Sequence, residues 1–192
     1  MLKIVEFFYS IQGEGSFSGF PCIFIRLHGC NLSCSFCDED LHTGAYESIS
    51  NEEMIQRIED FPSKHVVITG GEPSLNNIND FIDALHVKDY HVAIETNGYK
   101  FEHIKNADWI TYSPKDWDSL HVEGFNEYKF IVNKNSDIEK ILHVNKNKSI
   151  YIQPENFKDK INKENTDYCI ELVKKYPHLR LSVQLHKYLG VE

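Results

Sequence analysis

The chain has 192 residues, which is enough for one domain with a sizeable core, and we expect a single domain over residues 1–192. Hydrophobic residues make up 41% and charged residues 26%, a composition typical of a globular protein and not of a disordered chain. The formal net charge of −9 argues against a broad surface for binding nucleic acid.

The sequence contains no run of about 18 consecutive apolar residues, so we expect no membrane-spanning helix. Its first residues lack the basic start and long apolar stretch of a signal peptide. We therefore expect a cytoplasmic protein with no membrane partner. A reducing compartment disfavours disulfides and favours metal binding or catalysis as the role of cysteines.

The first part of the chain predicts two strands, at residues 2–9 and 21–28. Between them lies Ser10-Ile11-Gln12-Gly13-Glu14-Gly15, a loop in which two glycines bracket a carboxylate. Ser50 and Glu53 then form a capping-box signature. Apolar residues at helical spacing follow it, which predicts a helix.

The rest of the chain continues the alternation of strands and helices. Strands are predicted at 65–69, 91–95, 108–112, 127–132, 149–152 and 179–185. Helices are predicted at 77–87, after Ser136 with Glu139 as a second capping box, and near 166–176. This alternation is typical of βα units around a parallel sheet. Six or seven units predict an α/β fold in the form of a partial (open) barrel, because a closed barrel has eight.

Polar and glycine-rich motifs follow several of these strands at their carboxyl ends. They are Gly70-Gly71-Glu72-Pro73, Thr96-Asn97-Gly98, Ser113-Pro114-Lys115 and Gln153-Pro154. In parallel α/β folds this edge of the sheet binds ligands. The sequence therefore predicts a site at the carboxyl ends of the strands.

Three cysteines, Cys30, Cys34 and Cys37, follow the second strand at a Cys-x3-Cys-x2-Cys spacing. Thiolates at this spacing can converge on one point, and they are the soft ligands that iron–sulfur clusters and zinc select. A closed zinc site or an ordinary cluster needs four protein ligands, so three leave one metal position open. Cys22 and Cys169 lie in apolar runs, where a free cysteine usually behaves as a small hydrophobe.

Two other interpretations of the cysteines remain open at this point. His28 or His42 could complete a Cys3His zinc site, since His42 follows Cys37 at a spacing that zinc ligands often use. A disulfide between two of the cysteines is the second alternative.

The cysteine spacing followed by Gly70-Gly71-Glu72-Pro73 after the next strand resembles the radical S-adenosylmethionine (SAM) superfamily. The resemblance implies a 4Fe–4S cluster on Cys30, Cys34 and Cys37, with SAM on the fourth iron. It also implies a partial (open) βα barrel of the radical SAM type, here reduced in size. Gly71 and Glu72 would then receive the amino acid portion of SAM.

Further motifs resemble the 7-carboxy-7-deazaguanine synthases, a family within that superfamily. They are Ile11-Gln12-Gly13-Glu14-Gly15, Phe24-Ile25-Arg26, Cys37-Asp38, Glu95-Thr96-Asn97-Gly98, Ser113-Pro114-Lys115 and Gln184-Leu185-His186-Lys187. The resemblance implies conversion of 6-carboxy-5,6,7,8-tetrahydropterin to 7-carboxy-7-deazaguanine and ammonia, in queuosine and 7-deazapurine biosynthesis. It also implies Mg²⁺ as an additional cofactor, a homodimer, and a flavodoxin- or ferredoxin-like reductant.

The same resemblance assigns residues to the two small molecules, and none of them as a catalytic acid or base. The SAM contacts would be Phe36, Asp38, Gly71, Glu72, Ser113, Lys115 and Gln153, with Thr96 and Asn97 as weaker candidates. The substrate contacts would be Gln12, Glu14, Arg26, Thr69, His186 and, through the terminal carboxylate, Glu192.

Chemistry agrees with three of these substrate contacts. Arg26 could form a bidentate fork with the substrate carboxylate, although an ordinary salt bridge is the alternative. Gln12 and Glu14 can bind the donor-and-acceptor edge of a pterin, although a solvated turn is the alternative. A lone histidine such as His186 is more often a packed or surface residue.

One position departs from the family. A threonine that ligates Mg²⁺ commonly follows Cys-Asp, and here that position is Glu39. Because a carboxylate is a good Mg²⁺ ligand, we hypothesise that Glu39 takes this role, with Asp40 as a possible second ligand.

Two rival functions remain. One is a radical SAM activating enzyme that generates a glycyl radical on a partner protein. It shares the chain size and the cysteine motif but should lack Gln12-Gly13-Glu14-Gly15 together with Arg26. The other is a non-enzymatic zinc-binding module, which would contain zinc without iron or sulfide.

Overall fold

The structure, a computed structural model, describes residues 1–39, 41–158 and 160–191. Within these residues nine strands form one sheet in the order β3-β1-β2-β4-β5-β6-β7-β8-β9. The strands are β1 (Leu2–Ile11), β2 (Pro21–Leu27), β3 (Glu47–Ile49), β4 (His65–Gly70), β5 (His91–Thr96), β6 (Trp109–Tyr112), β7 (Glu127–Val132), β8 (Ser149–Pro154) and β9 (Leu179–Leu181). From β2 to β9 every neighbouring pair is parallel.

Five α-helices occur in the described residues. They are α1 (Asn51–Ile58), α2 (Asn79–His86), α3 (Ile138–Leu142), α4 (Lys163–Lys175) and α5 (Leu185–Leu189). The connection from β5 to β6 contains only the 3-10 turn Phe101–His103, and the connection from β6 to β7 is a loop. The predicted βα alternation is therefore confirmed, with two of its crossovers shortened. None of the helices in the described chain is long and apolar enough to cross a membrane.

The sheet is open, as the sequence predicted. Strands β3 and β9 form its two edges, and β1 joins it antiparallel to both β2 and β3. The antiparallel β1 was not predicted, because a strand's own sequence does not state the direction of its neighbour. The result is an α/β partial barrel whose inner face is accessible from one side.

The main core lies between the outer face of the sheet and the helices. Ile25 of β2 and Ile68 of β4 are fully buried there, against Phe81 and Ile82 of α2. Burial of each such side chain stabilises the fold by roughly 1.5–3 kcal/mol. Because alternate residues of a strand point to opposite faces, the intervening residues line the inside of the partial barrel.

The ends of two helices test the predicted caps. At α1 the Ser50 hydroxyl accepts a hydrogen bond from the Glu53 N–H at 3.1 Å, which confirms that cap. At α3 the prediction was wrong, because the helix begins at Ile138 after Asp137. The Ser136 hydroxyl instead accepts from the Asn133 N–H at 3.0 Å and closes a turn before the helix.

The predicted strand at 179–185 is only partly correct. Strand β9 ends at Leu181, and Leu185–Leu189 is the short helix α5. Between them Ser182 is buried and makes hydrogen bonds inside the barrel, so the chain turns away from the sheet edge. His186, which was predicted to follow the strand, therefore lies on a helix.

Candidate active site at the carboxyl ends of the strands

A cleft of about 590 Å³ opens at the carboxyl ends of the parallel strands. Every predicted site residue that the structure describes lines it: Gln12, Glu14, Arg26, Cys30, Cys34, Phe36, Cys37, Asp38, Glu39, Thr69, Gly71, Glu72, Ser113, Lys115, Gln153 and His186. Glu192 and Asp40 lie outside the described residues. The fold thus brings together side chains from positions 12 to 186 of the sequence.

The three motif cysteines lie on the loop after β2, at the rim of this cleft. Cys37 is exposed, and Cys30 and Cys34 are half-buried. All five cysteines of the chain are described and none is in a disulfide. Cys22 and Cys169 are fully buried, as predicted for small hydrophobes. Burial raises the pKa of the Cys22 thiol to about 11 and that of Cys169 to about 12, so both stay protonated at neutral pH.

The two candidate histidines for a zinc site point elsewhere. The His42 ring nitrogen Nδ1 lies against the Glu39 backbone oxygen, and the His28 ring packs on Tyr46 with centroids 4.5 Å apart. A single zinc ion with Zn–S bonds of about 2.3 Å needs its ligands close together. Among residues 1–39, 41–158 and 160–191, no three His, Cys, Asp or Glu side chains are gathered in that way. Three thiols on one loop without a fourth protein ligand fit a cluster that keeps one iron open.

The glycine motif after β4 is locked to the cysteine loop through backbone atoms. Gly71 N–H donates to the Leu27 oxygen at 3.0 Å, and Glu72 N–H donates to the Gly29 oxygen at 2.8 Å. A Cβ atom at Gly71 would lie 1.9 Å from that Gly29 oxygen, so only glycine allows this approach. We refer to this contact between residues 27–29 and 70–72 as the backbone joint.

Glu72 is 2% exposed, and its carboxylate accepts three hydrogen bonds. The donors are Thr96 Oγ1 at 2.5 Å, Asn97 N–H at 2.6 Å and Ser74 N–H at 2.9 Å. The carboxylate therefore ties the end of β4 to the end of β5. The contact of Glu72 with the SAM amino group stays a prediction. The three hydrogen bonds already fix the position of the carboxylate that would make it.

An acid–lysine–acid cluster lies deeper in the cleft. The Lys129 ammonium pairs with Glu14 and, at 2.5 Å, with Glu95 Oε2. Gln153 Nε2 donates to Glu14 Oε1 at 3.1 Å, and Gln12 Nε2 donates to Glu95 Oε1 at 3.4 Å. Two glutamine side chains and one lysine thus hold two carboxylates side by side.

The cluster perturbs the protonation of all three charged groups. Burial alone would lower the pKa of Lys129, but the two carboxylates outweigh it and raise that pKa. Burial also raises the pKa of Glu95, an effect that Lys129 only partly offsets. For Glu14 burial acts in the same direction, yet the contact with Lys129 wins and the pKa is lowered. Lys129 is therefore charged at neutral pH and Glu14 is an anion.

Residues 12–20, which we call the plug loop, cross the inside of the partial barrel. Ser16 Oγ donates to Glu127 Oε2 at 2.5 Å, and Thr111 Oγ1 donates to Glu127 Oε1 at 2.9 Å. Gly15 N–H donates to Ser182 Oγ at 3.1 Å, and Ser182 Oγ in turn donates to Gln153 at 2.9 Å. The loop that carries Gln12 and Glu14 is thus bonded directly to Glu127 of β7 and to Ser182 after β9, and through them to β6 and β8.

Arg26 also lines the cleft, where it makes salt bridges. Its Nε lies 2.9 Å from Glu6 Oε1, and its Nη1 pairs with Glu39. The guanidinium also lies over the Phe8 ring at 5.4 Å. The salt-bridge alternative for Arg26 is thus present in the structure, and the fork to a substrate carboxylate stays a prediction.

The remaining polar residues of the cleft are held by neighbours. Asp38 accepts from Gln184 at 2.7 Å and from Lys187 at 2.8 Å. Burial would raise the Asp38 pKa, but these contacts lower it. Lys115 donates to the Ser113 oxygens at 2.7 and 2.9 Å, and burial lowers its pKa. Burial also lowers the pKa of His186, which favours the neutral imidazole.

Sequence reasoning missed Lys129 as a residue of the cleft, and it gave no role to Gln184 and Lys187, which it named only as part of a family motif. A signal for Lys129 was present, because a lysine between Tyr128 and Phe130 interrupts an apolar strand at a position that faces the barrel interior. Glu95 was part of a family motif without a role of its own. Gln184 precedes the unpredicted helix α5 and Lys187 lies within it, so no strand pattern placed them in the cleft.

Comparison with known proteins agrees with this geometry. The profile of the Radical SAM superfamily matches residues 24–149. The 7-carboxy-7-deazaguanine synthase of Bacteroides thetaiotaomicron is 38% identical over 191 residues, covering 100% of this chain and 99% of the relative. The chain belongs to this family. The synthase of Rickettsia prowazekii is 34% identical, covering 100% of this chain and 89% of its own length.

A solved structure of the family has the same fold. The crystal structure of QueE from Escherichia coli superposes with a TM-score of 0.81 at 31% identity, covering 96% of this chain and 94% of that one. The Streptococcus suis SuiB structure bound to its precursor peptide, at 15% identity and a TM-score of 0.53, shares the fold alone. The radical SAM partial barrel is therefore confirmed. As a member of the family, the chain is a radical SAM lyase with a 4Fe–4S cluster and SAM as cofactors.

Proposed function

We propose that this chain converts 6-carboxy-5,6,7,8-tetrahydropterin to 7-carboxy-7-deazaguanine with loss of ammonia. The observation that carries the proposal is the placement of Gln12, Glu14 and Arg26 in one cleft with the three cysteines. Carboxylate and amide groups suit the donor-rich edge of a pterin, and a guanidinium suits its carboxylate. The full-length relatives named 7-carboxy-7-deazaguanine synthase support the same reaction.

In this proposal the substrate lies between the plug loop and Arg26. Glu14 and Gln12 bind the pterin edge, Arg26 binds the carboxylate, and Thr69 and His186 contact the ring from β4 and α5. Glu192 is the remaining predicted substrate contact. His186 already packs on the plug loop, since a Cβ atom at Gly13 would lie 2.8 Å from its Nδ1.

The predicted cofactor residues line the same cleft. Cys30, Cys34 and Cys37 would hold the cluster, which together with SAM supplies hydrogen-atom abstraction from the substrate. Phe36, Asp38, Gly71, Glu72, Ser113, Lys115 and Gln153 would bind and orient SAM. The backbone joint keeps the cysteine loop and the Gly71–Glu72 segment at a fixed separation, so both cofactors are oriented by one rigid unit.

Mg²⁺ is a further part of the proposal, with Glu39 as its ligand. In the structure the Glu39 carboxylate pairs with Arg26. Binding of substrate would therefore exchange this ion pair for two others, Arg26 with the substrate carboxylate and Glu39 with Mg²⁺.

Replacement of Glu39 tests the magnesium ligand. We expect Glu39→Ala to lose most of the stimulation of turnover by Mg²⁺. It should also lose most of the Mg²⁺-dependent gain in product binding, which calorimetry without reductant measures. Glu6→Ala is the matched control, because Glu6 is the other carboxylate on Arg26. Unchanged Mg²⁺ dependence in Glu39→Ala would show that another group holds the ion.

The cellular setting completes the proposal. We infer that the chain acts as a single domain over residues 1–192, as a homodimer in the cytoplasm, and receives electrons from a flavodoxin- or ferredoxin-like protein. Sedimentation of the reconstituted protein tests the dimer. Turnover with purified flavodoxin and its reductase, against chemical reductant alone, tests the electron donor.

The decisive experiment is anaerobic reconstitution with iron and sulfide, followed by incubation with SAM, reductant, Mg²⁺ and 6-carboxytetrahydropterin. Formation of 7-carboxy-7-deazaguanine, followed by mass spectrometry and ultraviolet absorbance, is the expected result. Formation of 5′-deoxyadenosine without that product would retain the radical chemistry and reject the substrate. Bound zinc without iron would reject both the radical chemistry and the proposed substrate.

A further inference from the structure

Lys129 is a buried cation at the centre of the cleft, and the predicted SAM and substrate contacts do not include it. It lies on the inner face of β7, and the residue is 5% exposed. Its ammonium contacts Glu14 of the plug loop and Glu95 of β5. These two carboxylates come from segments that lie 81 residues apart in the sequence.

The charge of this cluster is unbalanced. One ammonium faces two carboxylates, so the cluster carries a net negative charge when both carboxylates are ionised. Both carboxylates line the cleft. A lysine that only neutralised one buried acid would need a single carboxylate partner, and that pair would not have to face a cleft. A buried excess of acceptors is complementary to a ligand edge with several N–H donors.

We propose that Lys129 is a positioning residue that holds Glu14 and Glu95 as adjacent hydrogen-bond acceptors for the 2-amino edge of the pterin. This inference rests on the proposed function and deepens it. Lys129 itself need not touch the substrate, because it acts through the two carboxylates. Its role is to select a pterin with a 2-amino group over a ring that carries oxygen there.

Removal of the ammonium changes what the carboxylates can do. Two partly buried carboxylates without a cation between them repel each other, and they relieve the repulsion by sharing a proton. The shared proton turns one acceptor into a donor, which opposes the N–H donors of the ligand. Gln12 and Gln153 remain, but they contact the outer oxygens of the pair and leave its charge unchanged.

The test measures binding without radical chemistry, by anaerobic calorimetry on the cluster-loaded protein with SAM and no reductant. The two probes are 6-carboxytetrahydropterin and its 2-oxo counterpart, 6-carboxytetrahydrolumazine. We expect Lys129→Met to weaken binding of the pterin by about tenfold or more, the effect of one lost charge-assisted hydrogen bond. Binding of the lumazine should change by less than about threefold, so the selectivity of the site falls.

The pH profile gives a second readout that a structural role would not move. In Lys129→Met the pKa of the carboxylate pair rises, so pterin binding should be lost as the pH falls through that raised value. In the wild type the loss should begin at a lower pH, because Lys129 lowers the pKa of Glu14 and partly offsets the effect of burial on Glu95. Equal profiles for the two proteins would count against the inference.

Two further variants keep the test decisive. Lys148→Met is the matched control, because Lys148 is a part-buried lysine that donates to the Phe125 oxygen away from the cleft. It should bind both probes as the wild type does. If Lys129→Met does not fold, Lys129→Arg keeps the charge but moves the carboxylates, and should weaken pterin binding while SAM affinity and iron content stay unchanged.

The outcomes separate this inference from the proposed function. A wild-type protein that binds no pterin rejects the proposed function, and this inference with it. A wild type that binds the pterin, with Lys129 variants that bind it equally well, rejects the inference alone. An equal loss of pterin, lumazine and SAM binding in both Lys129 variants would reduce Lys129 to a structural residue and also reject it.

Discussion

The two ends of the barrel's inner face differ in kind, although the same strands build both. At the amino ends of β4, β5 and β6 lie His65, His91 and Trp109, which pack as rings around Phe17 with centroids 4.7, 5.6 and 5.1 Å away. At the carboxyl ends of β4 and β5 lie Thr69 and Glu95, which line the cleft. On β4 and on β5, therefore, only four residues separate the ring that packs at the amino end from the polar side chain that lines the cleft.

The plug loop connects these two ends. Phe17 closes the amino end by aromatic packing, and Gln12 and Glu14 of the same loop form the floor of the cleft. Packing at one end therefore contributes to the precision of binding at the other. The barrel is sealed by a loop that is itself part of the site.

The largest expected effect comes from the rim of the cleft. We expect Cys34→Ala to abolish turnover and cluster binding, because a three-thiolate site has no spare ligand. Stability of the apo-protein should change little, since Cys34 is outside the buried core. Product formation measures turnover, iron content and visible absorbance measure the cluster, and thermal unfolding measures stability.

A core cysteine gives the matched control for that variant. Cys169→Ala should retain the cluster and lose about 1 kcal/mol of unfolding free energy, because it removes a buried sulfur from α4. Loss of iron in Cys169→Ala but not in Cys34→Ala would contradict the assignment of the motif cysteines.

The next effect comes from the packed end. Phe17→Ala should lower the free energy of unfolding by about 2 kcal/mol, because it opens a gap among the rings of His65, His91 and Trp109. It should also weaken pterin binding through greater freedom of Glu14, while iron content stays the same. Denaturant unfolding and calorimetry provide the measurements.

Phe20 is the control for Phe17, because it lies in the same loop but is 51% exposed. Phe20→Ala should cost less than about 1 kcal/mol and leave pterin binding unchanged. Equal effects of the two substitutions would mean that Phe17 does not hold the loop in place.

The smallest expected effect is a pH dependence at the packed end. Burial lowers the pKa of His65 below its unfolded value, His91 adds to the shift, and Asp108 opposes it. The unfolded chain therefore binds the proton more readily. The contribution of His65 to stability is complete above the unfolded pKa of about 6.5, and it is lost as the pH falls from there toward the folded pKa.

His65→Gln should accordingly lessen the fall in melting temperature between about pH 7.5 and pH 5.5. His143→Gln, at a side chain that is 81% exposed, should leave the fall unchanged. A steeper decline in His65→Gln than in the wild type would mean that the folded protein, and not the unfolded chain, binds the His65 proton more tightly.

Much of the fold and the site could be predicted from the sequence, because apolar runs mark the strands and polar motifs mark their carboxyl ends. Apolar runs predicted the seven parallel strands from β2 to β9, and every predicted site residue that the structure describes lines the cleft. Three features did not follow. The three-residue edge strand β3 is too short for a periodic pattern, the antiparallel direction of β1 depends on pairing, and α5 depends on the buried turn at Ser182.

Contacts between distant side chains were the least predictable part of the site. Arg26 and Glu39 were assigned to two different ligands, and in the structure they pair with each other. Lys129 was not assigned, although its partner Glu14 was. Local sequence reports what a side chain can bind, and only the assembled strands determine which partner reaches it.

The backbone joint has a consequence for protein engineering. Gly29 and Gly71 meet through atoms that every residue possesses, at a spacing that no side chain at position 71 permits. The cysteine loop and the glycine motif are thus one structural unit. A chimera that exchanges only one of the two segments would not preserve the close backbone contact between them. Recombination between relatives of this chain should therefore keep residues 27–72 as one inherited block.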